Sequence, residues 1–180
     1  SYVLPDPFFV LATQNPIEQE GTYPLPEAQL DRFMFNVWVD YPSFEEEIAL
    51  VKQTTVNEDV QVQAMLDGVD ILYFQNLIKK IPVPDAVFDY AVQLVVSTRK
   101  DDKRAHDITK KYLSWGAGPR ASQYLITGAK THAALNGKFS VDIEDVKAVA
   151  LPVLRHRLIK NYHADADGLV IDDIINQLLQ

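Results

Sequence analysis

The sequence predicts a mostly α-helical protein with a small α/β part at its N-terminal end. Short, unbroken apolar runs that suit buried strands occur in the first forty residues. After Pro42 the apolar residues recur instead with helical spacing. We therefore expect the remnant of a parallel sheet in residues 1–40, followed by a helical bundle in residues 43–180.

The N-terminal part contains two candidate strands with a short helix between them. Residues 8–12 and 33–39 are rich in apolar, aromatic and β-branched side chains, as in strands that are buried on both faces of a parallel sheet. Residues 26–32 are good helix-forming material with a proline near the start. Because two strands do not form a stable sheet alone, we expect their neighbours upstream of this chain.

Polar caps and prolines mark the expected helices of the bundle. Ser43 and Glu46 have the spacing of a capping box. Asn136-Gly137 should end one helix, and Pro152 should kink or break another. Helix starts are predicted at Ser43, at Asp70, within residues 82–85, at Pro119, at Asp142 and at Asp172.

Composition narrows the class of protein. The chain has 17 basic and 25 acidic residues and a formal net charge of −8, which disfavours general nucleic-acid binding because phosphate contacts dominate that affinity. It has no cysteine, which suits a reducing cytoplasm, and no apolar run reaches the roughly 18 residues of a membrane span. We expect a cytoplasmic protein without a membrane span and without a nucleic-acid partner.

Three side chains are candidates for binding phosphate. Asn15 follows the first candidate strand, where its amide could hold a water and touch a phosphate oxygen, although an Asn-Pro turn needs no ligand. Arg32 ends the short helix, and its guanidinium offers a fixed fork of N–H donors to phosphate. It could instead interact favourably with the helix dipole or pair with Asp31. Arg120 lies in the first turn of a helix, where a cation opposes the dipole and a bound phosphate would compensate it; the alternative is a solvated arginine.

The order of these motifs resembles the downstream signature of MoxR-family AAA+ ATPases. The resemblance rests on residues 12–16 (Ala-Thr-Gln-Asn-Pro), on residues 116–121 (Gly-Ala-Gly-Pro-Arg-Ala) and above all on residues 20–33 (Glu-Gly-Thr-Tyr-Pro-Leu-Pro-Glu-Ala-Gln-Leu-Asp-Arg-Phe). Residues 154–157 (Leu-Arg-His-Arg) are similar to the lid of that family. The resemblance implies that residues 1–41 end an AAA+ α/β core of P-loop type and that residues 42–180 form its helical lid.

The resemblance also implies roles for the three candidates. Asn15 resembles sensor 1, which positions the attacking water, and Arg32 resembles the arginine finger, which reaches the ATP of a neighbouring subunit. Arg120 resembles sensor 2, which contacts phosphate from the lid, although the family more often has serine where this chain has Gly118. Asp31, like Glu27, is interpreted as a structural residue that pairs with or orients Arg32.

The intact protein is then expected to use ATP and Mg²⁺, to assemble as a ring, in this family usually a hexamer, and to act on client proteins or proteins with von Willebrand A-like domains. The sequence has no Gly-x-x-x-x-Gly-Lys-Ser/Thr (Walker A) motif and no apolar strand that ends in paired acids (Walker B). We therefore expect this chain alone to hold no nucleotide tightly and to hydrolyse none.

Two other functions fit parts of the sequence. A magnesium-chelatase or DNA-helicase relative shares the late Asp-Arg-Phe arrangement, but the longer 20–33 string favours MoxR and the acidic charge disfavours a DNA motor. A non-catalytic helical interaction module would not need Arg32 or Arg120. The four histidines have no metal-site spacing; His132 is expected in the core, and His156 is expected on a solvated basic face with Arg155 and Arg157.

Overall fold

A computed structural model of the protein describes residues 2–14, 25–55 and 62–180. The structure confirms the mostly α-helical class. The helices are α1 Glu27–Leu30, α2 Phe44–Thr55, α3 Gly68–Lys79, α4 Asp85–Ser97, α5 Asp107–Tyr112, α6 Pro119–Leu135, α7 Ile143–Leu154, α8 Tyr162–Ala166 and α9 Ile171–Leu178. Two short strands, β1 Leu113–Trp115 and β2 Ile159–Lys160, pair antiparallel. None of the helices in the described part of the chain has the length and apolarity needed to cross a membrane.

The hydrophobic core lies in the C-terminal helices. Its fully buried side chains come chiefly from α4, α6 and α7, and α5 and α9 close the cluster. Alanines on the buried face of α6, at 121, 129 and 133, leave little side chain between this helix and its neighbours α4 and α7. By contrast, neither α2 nor α3 contains a buried residue.

Local signals placed most helix ends correctly. Ser43 accepts a hydrogen bond from the Glu46 N–H at 3.3 Å, and the Glu46 carboxylate accepts one from the Ser43 N–H at 2.8 Å, which is the predicted capping box. Asp142 caps α7 in the same reciprocal way. Gly137 has φ +69°, the left-handed conformation that ends α6 where the sequence predicted.

Two helix predictions were wrong in detail. The cap of α3 is Asp67, which accepts from the N–H groups of Val69 and Asp70, so the predicted cap Asp70 is the N3 residue that bonds back. Pro152 does not break α7, which continues to Leu154. Pro152 lacks the N–H that would bond to the oxygen four residues earlier, and the helix ends two residues later.

The two predicted strands are absent from the described residues. Residues 8–12 and 33–39 have no regular secondary structure, and the described two-stranded sheet is β1–β2 instead. Phe9 is 82 % exposed and Val39 is 90 % exposed. A buried parallel strand needs neighbours on both sides, and the described residues provide none for these runs. The division into a core end at 1–41 and a lid at 42–180 stays a prediction.

Candidate functional site

The structure brings the turn after α1 against the N-terminus of α6. Arg32 lies on that turn and is exposed, whereas Arg120 is the second residue of α6. The residue that joins them is Asp31, which precedes Arg32 in the chain and forms an ion pair with Arg120. Asn15, the predicted sensor 1, lies outside the described residues.

Asp31 bridges two arginines of the C-terminal helices. Its Oδ2 accepts from Arg120 Nη1 at 2.6 Å, and its Oδ1 accepts from Arg157 Nε at 2.9 Å. In the sequence interpretation Asp31 pairs with or orients Arg32. The pairing is wrong for this structure, because the two carboxylate oxygens accept from Arg120 and Arg157. Side chains that are adjacent in a helical turn point in different directions, so Asp31 reaches residues far along the chain instead.

Arg157 is buried beneath residues 31–36, which we call the 31–36 segment. Its side chain is only 1 % exposed. Nη2 donates to the main-chain oxygens of Asp31 at 2.8 Å and Phe33 at 2.6 Å, and Nη1 donates to those of Met34 at 3.3 Å and Val153. Burial lowers the pKa of Arg157, while the hydrogen bond to Asp31 acts in the opposite direction. Arg157 thus fastens the 31–36 segment to the end of α7.

Further contacts hold the same segment. Tyr124 of α6 donates its hydroxyl to the Arg32 main-chain oxygen at 2.9 Å, and the Arg157 guanidinium carbon lies 5.1 Å from the centre of the Tyr124 ring. The Asn36 N–H donates to the Pro152 oxygen at 2.8 Å. Gly128 lets Val149 and Phe35 pack closely against α6, because a Cβ there would lie 3.3 Å from Val149 Cγ2 and 3.4 Å from Phe35 Cζ.

The basic face predicted at residues 155–157 is used inside the molecule. His156 Nε2 lies 3.0 Å from the Phe33 oxygen and donates to it, and burial followed by the charge of Arg157 lowers the pKa of His156. Arg155 pairs with Asp172 of α9 through two bonds of 2.7 Å. The expectation of a solvated face was wrong because the acceptors come from residues distant in sequence. His132, expected in the core, is half-buried, with Nδ1 2.8 Å from the Asp145 carboxylate.

A tightly fixed turn leads into Arg120. A Cβ on Gly116 would lie 2.1 Å from the Thr98 main-chain oxygen, so only glycine fits there. The Ala117 N–H donates to Thr98 Oγ1 at 2.9 Å, and Arg99 Nε donates to the Ala117 oxygen at 3.0 Å. Gly118 is the N-cap of α6 and supplies no side-chain cap. The start of α6 therefore has a fixed position. Pro119 has no N–H and the Ala121 N–H donates to the Gly118 oxygen at 3.1 Å, so the Arg120 N–H is the one in these first three residues that can favour an anion.

Among the described residues, the site offers arginine side chains rather than a cluster of metal ligands. No group of three or more His, Cys, Asp or Glu residues in the described ranges could hold a metal ion. The sequence predicted Arg32 and Arg120 as site residues but not Tyr124, and it placed Arg157 only in the 154–157 string and on an expected solvated face. The 154–157 string was the signal in the sequence that could have pointed to Arg157. A buried arginine needs fixed acceptors, and those become visible only in the structure.

Comparison with known proteins places the chain in a family. The family described as "AAA lid domain" matches residues 105–178, and "ATPase family associated with various cellular activities (AAA)" matches residues 1–35. The chain is 42 % identical, over all 180 residues, to "Chaperone MoxR1" of Mycobacterium tuberculosis, and this match covers 48 % of that protein. The chain belongs to the MoxR-type AAA+ ATPases. The resemblance seen in the sequence is thereby confirmed.

Two further proteins are similar to this chain over nearly its whole length. The chain is 33 % identical to "Uncharacterized protein YeaC" of Bacillus subtilis, a match that covers 98 % of this chain and 52 % of that protein. The crystal structure of a "putative ATPase" from Cytophaga hutchinsonii superposes with a TM-score of 0.90 at 40 % identity, covering 99 % of this chain and 54 % of that one. The chain thus spans about half the length of these relatives.

Proposed function

We propose that this chain is part of an ATP-hydrolysing, chaperone-like MoxR protein, in which it supplies Asn15, Arg32 and Arg120 to an ATP site between subunits. The observation that carries the proposal is the state of Arg32. Its side chain is exposed, it forms no ion pair with any described carboxylate, and the turn that bears it is fixed by Arg157 and Tyr124. An arginine that lies on a fixed turn, with no ion-pair partner among the described residues, is suited to an anion outside its own chain.

The chemistry of phosphoryl transfer explains why such an arginine matters. Catalysis depends on positioning and on neutralising the charge that develops on the transferred group, and an arginine finger contributes about 10³–10⁵ in rate. If Arg32 acts on the nucleotide of a neighbour, the complete site exists only in the assembled ring, for which the resemblance implies six subunits. In this proposal Asn15 orients the attacking water.

Arg120 fits a phosphate contact in its own subunit. Its present partner is an anionic oxygen, and it lies at the N-terminus of a 17-residue helix, where the helix dipole also favours an anion. ATP and Mg²⁺ would supply the reacting phosphate and its counter-charge. The phosphate-binding loop, which this sequence lacks, and the ligands of Mg²⁺ would come from the rest of the protein. This chain alone would then be inactive.

Arg32→Ala in the full-length protein tests the proposal. Turnover per subunit by the wild type should rise with protein concentration as rings assemble. The substitution should lower kcat by about 10³-fold or more while leaving the Kd for ATP within a few-fold, because the finger acts mainly in the transition state. Steady-state hydrolysis and equilibrium nucleotide binding give the two quantities.

Arg104→Ala is the matched control, since Arg104 is also exposed and its only described partner is the nearby Asp102. It should hydrolyse ATP like the wild type. Wild-type turnover in the Arg32→Ala protein would refute the finger role.

The main alternative is a non-catalytic interaction module. The observation that favours it is the apolar stripe on α2, where Phe44 is 74 % exposed and Ile48 and Val51 are also exposed. Absence of ATP hydrolysis by the full-length wild type at every concentration would favour this alternative. In the ATPase proposal the same stripe is available to other parts of the protein or to a client; the M. tuberculosis relative is named a chaperone.

A further inference from the structure

We propose that Asp31 is a positioning residue that withholds Arg120 from phosphate until nucleotide displaces it. The proposal deepens the proposed function and rests on it, because it concerns what Arg120 does before ATP arrives. The Asp31 carboxylate would then compete with the nucleotide phosphate for Arg120. The family resemblance does not assign this role to Asp31.

The two arginines that share the carboxylate are held very differently. Arg157 is 1 % exposed and has four main-chain oxygens as further acceptors. Arg120 is 42 % exposed, and the Asp31 carboxylate is its sole hydrogen-bond partner among the described residues. Release of Arg157 would leave a buried charge unpaired, whereas release of Arg120 returns a half-exposed guanidinium to water. Arg120 is therefore the partner that exchanges.

A phosphate is the natural replacement for Asp31. Both ligands present anionic oxygens to the same planar fork of N–H donors, and a polyphosphate carries more charge than a carboxylate. Because Arg120 is free in only a fraction of the molecules, the apparent affinity for nucleotide equals the intrinsic affinity multiplied by that fraction and is therefore lower. Removing the carboxylate should therefore tighten nucleotide binding rather than weaken it.

The exchange leaves the turn of Arg32 in place. Asp31 keeps its Oδ1 bond to Arg157, and the main-chain oxygens of Asp31, Phe33 and Met34 keep theirs. Arg120 could thus move towards its own subunit's nucleotide without detaching the segment that presents Arg32. A purely structural role for Asp31 predicts the opposite, since loss of the carboxylate would loosen the site and weaken binding.

The test is a double-mutant cycle on the Kd of a non-hydrolysable ATP analogue, measured on the full-length protein. Asp31→Asn should lower the Kd by about threefold to tenfold, the range expected for losing a partly exposed charge-assisted bond. In an Arg120→Ala background, where the Kd is already raised, Asp31→Asn should change it by less than about twofold, because the competitor then has nothing to withhold. Asp31→Ser removes the same carboxylate and serves if the asparagine variant does not fold.

Asp172→Asn is the matched control. It breaks the other well-formed arginine–aspartate pair of the C-terminal helices, that of Arg155, away from Arg120. It should lower the thermal unfolding midpoint and leave the Kd unchanged.

The outcomes separate this inference from the proposed function. An unchanged or raised Kd in Asp31→Asn, or an equal decrease in the Arg120→Ala background, overturns the role of Asp31 alone. If Arg120→Ala by itself leaves the Kd unchanged, the phosphate contact assigned to Arg120 fails and this inference fails with it. If the wild type binds no nucleotide, both are overturned.

Discussion

At the scale of single residues, the feature that matters most is one buried arginine. Arg157 donates to five acceptors, namely the Asp31 carboxylate and four main-chain oxygens. A guanidinium satisfies this arrangement because its donors lie in a fixed plane and diverge. A lysine carries the same charge with three donors at one point, so it could meet only part of the set.

Arg157→Lys should therefore destabilise the protein by about 3 kcal/mol, since several acceptors beneath the 31–36 segment would lose their partner. Urea unfolding monitored by circular dichroism gives the free energy of unfolding. Arg104→Lys, an exposed counterpart, should change it by less than about 0.5 kcal/mol. Equal effects of the two substitutions would show that the burial of Arg157 contributes nothing.

The same residue shows where sequence reasoning ends. The sequence indicated which arginines matter, because the 20–33, 116–121 and 154–157 strings are specific. It did not indicate their partners. Asp31 pairs with Arg120 and Arg157, 89 and 126 residues further along the chain, and only the folded chain brings such groups together.

At the scale of elements, local chemistry predicted the helices and failed for the strands. Capping side chains and a C-terminal glycine act within a few residues, so they marked the ends of α2, α6 and α7 correctly. The runs at 8–12 and 33–39 could not be judged in this way, because a strand exists only where a second strand pairs with it. The short elements α5, α8, β1 and β2 have too few residues to show periodicity and were missed.

The start of α7 has a further electrostatic feature. Asp145 is fully buried, and although burial raises its pKa, hydrogen bonds from the Asp142 N–H, His132 and Lys138 outweigh this effect and lower the pKa to about 2. The carboxylate joins the cap of α7 to the end of α6 and to the turn between them. In its charged form it stabilises the packing of these two helices.

An acid titration tests this role. The pKa of an unfolded aspartate is about 3.9, higher than in the folded state, so the contribution of Asp145 is fully present above that value and is lost as pH falls through about 2. The shift corresponds to about 2–3 kcal/mol. Asp145→Asn should lower the unfolding midpoint at pH 7 and flatten its decline between about pH 5 and 2. Exposed Asp101→Asn should change neither, and an unaltered acid profile in Asp145→Asn would contradict the assignment.

At the scale of the whole molecule, the buried core and the exposed apolar runs lie in different parts of the chain. The buried apolar cluster runs from Val87 to Ile175, whereas the described residues before α4 contain no fully buried side chain. The exposed apolar runs at 8–12 and 37–39 lie in that earlier part. Exposed apolar runs of this size mark surfaces that contact other protein. This fits the proposal that the chain is part of a longer protein, and the chain spans about half the length of the relatives that it matches.

Residues 62–180 alone should consequently fold. We expect cooperative thermal unfolding of this shorter chain, since it retains the whole cluster, with a midpoint about 10 °C lower because Arg157 loses every acceptor contributed by the 31–36 segment. Circular dichroism of the two chains provides the comparison. An identical midpoint would mean that the 31–36 segment does not dock stably, and a non-cooperative transition would mean that the cluster is not an independent core.

Most of the hydrogen bonds that hold the 31–36 segment are made to its main-chain atoms. The oxygens of Asp31, Arg32, Phe33 and Met34 and the N–H of Asn36 are the groups that Arg157, His156, Tyr124 and Pro152 engage. Main-chain atoms are the same in every residue, so these hydrogen bonds depend on the backbone conformation of the segment more than on its residue types. The exposed side chain of Arg32 can therefore be exchanged at little cost in docking, whereas that of Asp31, which pairs with Arg157, cannot.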